Sequence, residues 1–294
     1  MPACVTETLF HSRQPAPPLD AFVESVWLCK SHPRPRALER ILPSGGAQLI
    51  VNLTEDETRA YSDSRCGLIC RRSPGSILTG ITTRFQVIDT DEQAHVAGVA
   101  FRPGGTVAFV ATSAYELRDT EVPLEALWGP ARTRRLREQL LTTVHPHSAL
   151  DILEHALLES WRDRSTHPVV AFALADFHLR PSVARIGQIA NAVGLSRKRF
   201  IERFKTEVGV TPKRYCRLLR FQRALAKAHG GGSVDRKDLA LACGYFDQAH
   251  LIHEFREFSG LTPTAYSVGR TLFQNHVTFL QSVDGEFREE STHG

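Results

Sequence analysis

No apolar run in these 294 residues approaches the roughly 20 needed to cross a bilayer. The opening segment, MPACVTETLFHSRQPAPPLD, lacks the basic-then-apolar layout of a secretory signal. Cysteines are few and scattered: Cys4, Cys29, Cys66, Cys70, Cys216 and Cys243. No disulfide framework is expected, and the setting reads as cytoplasmic and reducing. A phosphate loop is missing too. FRPGG at 101–105 lacks the GxxxxGK pattern and reads as a tight turn after a strand. Cys66-x3-Cys70 and His145-x-His147 are the only metal-like spacings, and neither has a second pair nearby. No metal or cofactor is expected. No Ser/His/Asp or paired-carboxylate constellation can be placed, so the chain is not read as an enzyme.

What is present is an uneven charge distribution. The net charge is +4, but residues 181–270 carry 16 Lys plus Arg against 7 Asp plus Glu. That segment is therefore +9 and the remainder −5. The excess is sharpest from 181 to 230, with 12 basic residues and 2 acidic ones. A basic module beside a mildly acidic one suits a polyanionic partner, although a solvated basic face would give the same count.

The same segment contains a repeat: GVTPKRY at 209–215 returns as GLTPTAY at 260–266. Ahead of the first copy, Ile186, Ile189, Ala190 and Val193 mark one buried helix face. Gly194 ends that helix, Ser196 caps a second one, and Phe200 and Phe204 sit one turn apart on it. Gly209 stops it, and Thr211-Pro212 starts the next. Ahead of the second copy, Leu239, Ala240, Cys243, Gly244, Asp247, Leu251 and Phe255 take the same parts, followed by Gly260 and Thr262-Pro263. Between the units, Thr211 to His229 reads as one helix, about 28 Å long at 1.5 Å per residue. Successive major-groove faces of B-DNA lie about 34 Å apart, so a rod of this length can serve two reading helices. An ordinary duplicated bundle is the rival reading. It gives no reason for Arg197-Lys198-Arg199 in a helix's first turn, where the helix dipole disfavours cations and a phosphate backbone would offset the cost.

These residues resemble the C-terminal domain of AraC/XylS-type transcriptional regulators. GLSRKRFIERFKTEVGVTPKRY and CGYFDQAHLIHEFREFSGLTPTAY carry the likeness. The resemblance implies seven helices, two helix-turn-helix units on a long shared helix, and sequence-specific binding to double-stranded promoter DNA. It implies base reading from Arg197, Lys198, Ile201 and Glu202 in the first unit and from Gln248, Ala249 and His253 in the second. Arg or Lys can pair with guanine, Gln with adenine, and Glu can accept from cytosine. An ion pair of Glu202 with Arg199 or Lys205, and a phosphate or solvent contact for His253, stay open. Many family members have Arg in place of Glu202 or His253, so the base preference is not fixed. Arg199, Arg203, Lys205, Lys213 and Arg214 read as phosphate contacts or solvated charge. Residues 231–270 hold 4 basic and 5 acidic residues, so the first unit is expected to supply most of the electrostatic affinity.

The N-terminal half reads as strands at 47–54, 76–90 and 94–103, each rich in Val, Ile, Thr or Phe and bounded by Gly or Pro. Helices are predicted over 148–164 and 167–179. LPSGGAQLIVNL and the stretch from VAGVAFRPGG to LEALWG resemble the N-terminal domain of one subset of the same regulators, which is β-rich and cupin-like. The expected fold is therefore α+β, a β-rich, cupin-like N-terminal domain followed by an all-α domain with two helix-turn-helix units. Expected boundaries are 1–130 for an effector-sensing or dimerising domain, 131–180 for a helical connector, 181–270 for the DNA-binding domain and 271–294 for a tail that either packs back or stays mobile. Promoter DNA and an unidentified small-molecule effector are the expected partners. RNA polymerase and a second copy of the chain are left open, and no membrane is expected. Two alternatives remain: an N-terminal half that is catalytic or purely structural, and a thiol-based redox sensor built on Cys66 and Cys70.

Overall fold

A computed structural model of the chain describes residues 8–31, 38–64, 67–181, 186–230, 236–279 and 288–289. Strands β1 (Leu9–Arg13), β2 (Val23–Lys30), β3 (Leu38–Ile41), β4 (Gln48–Asn52), β5 (Glu57–Ser64), β6 (Gly67–Pro74), β7 (Ser76–Thr79), β8 (Gln86–Asp89) and β9 (His95–Phe101) come first. Helix α1 (Ala114–Leu117) and strand β10 (Glu121–Pro123) follow. Helices α2 (Leu124–Trp128), α3 (Pro130–Thr142), α4 (Pro146–Glu159) and α5 (Pro168–Leu179) lead into α6 (Ile186–Ala192), α7 (Arg197–Val208), α8 (Pro212–His229), α9 (Arg236–Ala242), α10 (Gln248–Ser259) and α11 (Pro263–Gly269). The chain then adds β11 (His276–Thr278) and β12 (Arg288–Glu289).

Among the described residues the strands form two six-stranded sheets, ordered β1-β2-β9-β4-β7-β10 and β11-β3-β8-β5-β6-β12. Neither closes on itself: β1 and β10 are opposite edges of the first sheet, β11 and β12 of the second. The expected cupin-like character is thus overturned, while the β-rich half followed by an all-α half stands. Alternating apolar residues are common to open sheets and barrels, and closure depends on pairing between the first and last strands, which no local pattern encodes. The segment 76–90 is two strands in different sheets, β7 and β8, rather than one.

The first sheet separates its two faces by alternation, interrupted by an irregularity between Val23 and Ser25. Val26, Leu28, Leu49, Val51, Leu78, Ala97 and Val99 turn outward and pack with Leu136 and Leu140 of α3 and Leu150, Leu153 and Leu157 of α4. The intervening residues, among them Ser25, Trp27, Gln48, Ile50, Ile77, Thr79 and Ala100, face the second sheet across a cavity of about 530 Å³. A second core holds the helical half together around Phe200, Phe204, Leu218, Phe221, Leu225, Leu251, Phe255, Phe258 and Tyr266.

The two halves share surface. Leu42 and Ile81, both from the β-rich half, belong to the helical core. The tail also returns: β11 pairs antiparallel with β3, Val277 opposite Arg40, and His276 Nδ1 lies 2.9 Å from Glu39 Oε2.

Candidate nucleic-acid interface

The two helix-turn-helix units repeat in backbone as they do in sequence. Gly194 and Gly244 end α6 and α9 with φ of +68° and +81°, a left-handed conformation that glycine adopts without steric cost. Ser196 Oγ accepts from Arg199 N at 3.4 Å to cap α7, and Asp247 Oδ1 accepts from His250 N at 2.7 Å to cap α10. Thr211 and Thr262 cap the helices that follow, accepting from Arg214 N and Ala265 N at 3.3 and 3.1 Å. Pro212 and Pro263 occupy first-turn positions, where a missing N–H leaves no bond unmade. Helix α8, 18 residues long, spans about 27 Å between the units.

Packing selects the face that each reading helix leaves outside. Helix α7 buries Phe200, Phe204, Glu207 and Val208. Arg197, Lys198, Arg199, Glu202 and Arg203 are exposed, and Ile201 is half-buried against the core. Helix α10 buries Leu251, Glu254, Phe255, Phe258 and Ser259, leaving Ala249 and His253 exposed one turn apart and Gln248 half-buried at its first turn. Glu202 makes no ion pair with Arg199 or Lys205 among the described residues. Lys205 instead puts its ammonium 3.7 Å above the Tyr115 ring of α1. Arg199 and Lys213 are exposed, and Arg203 sits 3.7 Å from Glu207. Arg214 is turned toward the body: it pairs with Glu257 and donates to Thr83 O at 3.1 Å.

Three further arginines of α8, Arg217, Arg220 and Arg223, are held by the protein itself. Arg217 and Arg220 of α8 donate to the buried Glu254 at 2.7 and 2.9 Å, and Arg217 also pairs with Glu257. His250 lies 3.3 Å from the same carboxylate. Arg223 caps the end of α5 by donating to His178 O. The cluster fixes the angle of α10 on α8. Its signal was available: Arg217 and Arg220 are three apart on one helix, Glu254 and Glu257 three apart on the other, and residues at that spacing share a face.

The glycines that end α7 and α10, Gly209 and Gly260, seat the β-rich half. A Cβ at Gly209 would lie 2.6 Å from Ile81 Cγ2 and 2.8 Å from Ala114 O. A Cβ at Gly260 would lie 2.6 Å from the Phe85 ring. Around them, Ser113 Oγ donates to Thr206 O at 3.1 Å, and Glu207 accepts from His167 N at 2.8 Å. Each reading helix thus has its C-terminal end braced by the other half, while its N-terminal end stays open.

No group of three or more potential metal ligands occurs among the described residues. Cys70 is buried, which pushes its thiol upward and disfavours the reactive thiolate, and Cys66 lies outside the described residues. No helix among the described residues is long and apolar enough to cross a membrane.

Comparison with known proteins follows the same division. Residues 189–268 match a family model described as a helix-turn-helix domain, and residues 11–123 match a domain of unknown function, DUF6597. A Streptomyces antibioticus protein named as an AraC-like transcription regulator is 29% identical over 136 residues, which cover 42% of this chain and 45% of that relative. The chain therefore matches less than half of that relative's length. Among solved structures, an AraC-type DNA-binding protein of Chromobacterium violaceum is 25% identical over 36% of this chain and 94% of its own, with a TM-score of 0.33. ToxT of Vibrio cholerae, crystallised with an unsaturated fatty acid, is 10% identical over 89% of this chain and 96% of its own, with a TM-score of 0.45. The family model and the named relative agree with the repeat: the chain has a helix-turn-helix region toward its C-terminal end and is similar there to AraC-like regulators.

Proposed function

We propose that the protein is a sequence-specific DNA-binding transcription regulator. Helices α7 and α10 enter consecutive major grooves of promoter DNA, and the β-rich half, residues 1–130, responds to a small-molecule effector. The observation that carries the first part is the duplicated helix pair on one 18-residue helix, each member capped by a side chain, with Arg197, Lys198 and Glu202 on one outer face and Gln248, Ala249 and His253 on the other. The effector reading is supported by the cavity between the sheets, whose rim includes Gln222 of α8 itself. Arg199, Arg203 and Lys213 supply phosphate contacts beside the first reader.

Footprinting tests the two-groove arrangement. Arg197→Ala or Lys198→Ala relaxes specificity at base pairs in one half of the site, at about 1–3 kcal/mol for a bidentate contact. Gln248→Ala acts about one helical turn away. Both changes weakening the same base pairs would overturn the arrangement. Binding by the full chain also falls steeply with added salt, because several phosphates are neutralised.

A further inference from the structure

The cavity between the sheets has a wall with a definite chemical grain. Strand pairing aligns Ser25, Ala100, Gln48, Thr79 and Glu121 in one row across five strands. The next row, two residues along, aligns Trp27, Gly98, Ile50 and Ile77. A polar stripe ending in a carboxylate therefore runs beside an apolar one. Gly98 makes the second row usable: a Cβ there would lie 2.3 Å from the Trp27 ring, so only glycine lets the indole lie against the sheet.

Glu121 is the unbalanced member. Its side chain is only 7% exposed. It accepts from Gln86 Nε2 and Ser73 Oγ at 3.3 Å each, both neutral donors at the long end of the hydrogen-bond range. The nearest cation, Arg71, is half exposed and 3.6 Å away. Nothing else among the described residues of the cavity compensates it. Arg59 is committed to Glu55 and Glu57 at 2.5 and 2.7 Å, His276 lies against Glu39, and Glu24 adds a second acid. No lysine is among the described residues that line the space. Burial also pushes the Glu121 carboxyl up from its ordinary range, the mark of a site where an incoming cation would be welcome.

We propose that this cavity binds a small organic cation, an amine whose ammonium pairs with Glu121 and whose apolar body lies over Ile77 and Ile50 toward Trp27. Carboxylates and phosphates are excluded by the same wall, since a buried carboxylate repels them and no free cation receives them. Such a ligand would also meet the DNA-binding half. Gln222 of α8 hydrogen-bonds Pro43 O, Asn275 Oδ1 and Gln274 in the cavity rim, so filling the cavity bears on the helix that spaces the two readers. This deepens the effector reading and rests on it only for the link to DNA.

The test uses the full chain with three amines: phenethylamine, tryptamine and cyclohexylmethylamine. Each is compared at neutral pH with the carboxylic acid of the same skeleton, by thermal stabilisation and calorimetric titration. At least one amine stabilises the protein saturably while its acid does not, and Glu121→Gln weakens that amine about thirty-fold or more. Equal protection by amine and acid, no protection by any amine, or an unchanged affinity in a folded Glu121→Gln protein would each overturn the site. The amine–acid comparison needs no variant, so a poorly folding mutant does not blunt it. DNA affinity is measured in parallel. An amine that binds without shifting it supports the site and removes the effector reading instead.

Discussion

The two helix-turn-helix units share a backbone and differ in how they use charge. At an offset of 51, Arg203 of the first unit corresponds to Glu254 of the second, and Glu207 corresponds to Phe258. In the first unit the arginine is exposed and only loosely paired. In the second, the carboxylate is buried and held by Arg217 and Arg220. Unit one leaves Arg197, Lys198 and Arg199 exposed and anchors itself through contacts with α1 and His167. Unit two uses the cations of α8 as its anchor. One scaffold can therefore be tuned for polyanion attraction or for rigid seating while each unit keeps a left-handed glycine turn and a side-chain cap.

The largest expected effect comes from breaking the anchor of the second unit. Glu254→Ala leaves two arginines without their buried partner and costs about 3–5 kcal/mol in denaturant unfolding. Glu202→Ala, exposed and unpaired in the first unit, stays within about 0.5 kcal/mol. Next comes the rod that both units share. Leu219→Pro removes a hydrogen bond inside α8 and bends it, at about 3 kcal/mol, whereas Leu219→Ala keeps the helix. In binding assays Leu219→Pro loses the full site far more than isolated half-sites. Full-site binding as tight as that of Leu219→Ala would show the units to be flexibly tethered.

A smaller effect separates the two braces. Gly209 has φ of +93° and its added Cβ would strike a backbone carbonyl, Ala114 O. Gly260 has φ of +70° and would press only on the Phe85 side chain, which can turn aside. Gly209→Ala is expected to cost about 2–3 kcal/mol and Gly260→Ala about 1 kcal/mol, measured as shifts of the denaturation midpoint at constant slope. Equal costs would mean that the brace at Ala114 yields.

The subtlest contrast is in pH dependence. Burial raises the Glu207 carboxyl above its ordinary 4.5, against the pull of the His167 N–H and Arg203. The native state then holds a proton more readily than the unfolded chain, so this contribution is full below about 4.5 and is lost as pH rises through the folded value. For Glu257 burial also pushes upward, but hydrogen bonds from Arg217 and Arg214 outweigh it and the carboxyl is lowered. Its contribution is present above about 4.5 and is lost as pH falls through the folded value. Stability curves of Glu207→Gln and Glu257→Gln should therefore diverge from wild type with opposite slopes. Parallel slopes would remove the distinction between the units.

Local chemistry made the helical half readable. Caps at Ser196, Asp247, Thr211 and Thr262 and left-handed turns at Gly194 and Gly244 act within a few residues of where they are written. The β-rich half was readable only as strands. Whether β1 reaches β10, or whether β11 from the far end of the chain joins β3, depends on pairings across tens to hundreds of residues. The candidate base readers came from the family resemblance; Arg197, Lys198, Glu202, Ala249 and His253 lie exposed, while Ile201 and Gln248 are half-buried. The ion cluster at Glu254 required comparing two helices, and the cavity wall appeared only once strand register was known.

The return of the tail to β3 has a mechanical consequence. The chain crosses from the β-rich half through α5 and comes back through residues 270–276, so two covalent strands join the halves rather than one. A body held at two points cannot swing open about a single pivot without peeling β11 from its neighbour. Motion between the β-rich and helical halves is then confined to small sliding along the shared surface. Cutting the chain after Arg270 would convert that shear joint into a loose hinge.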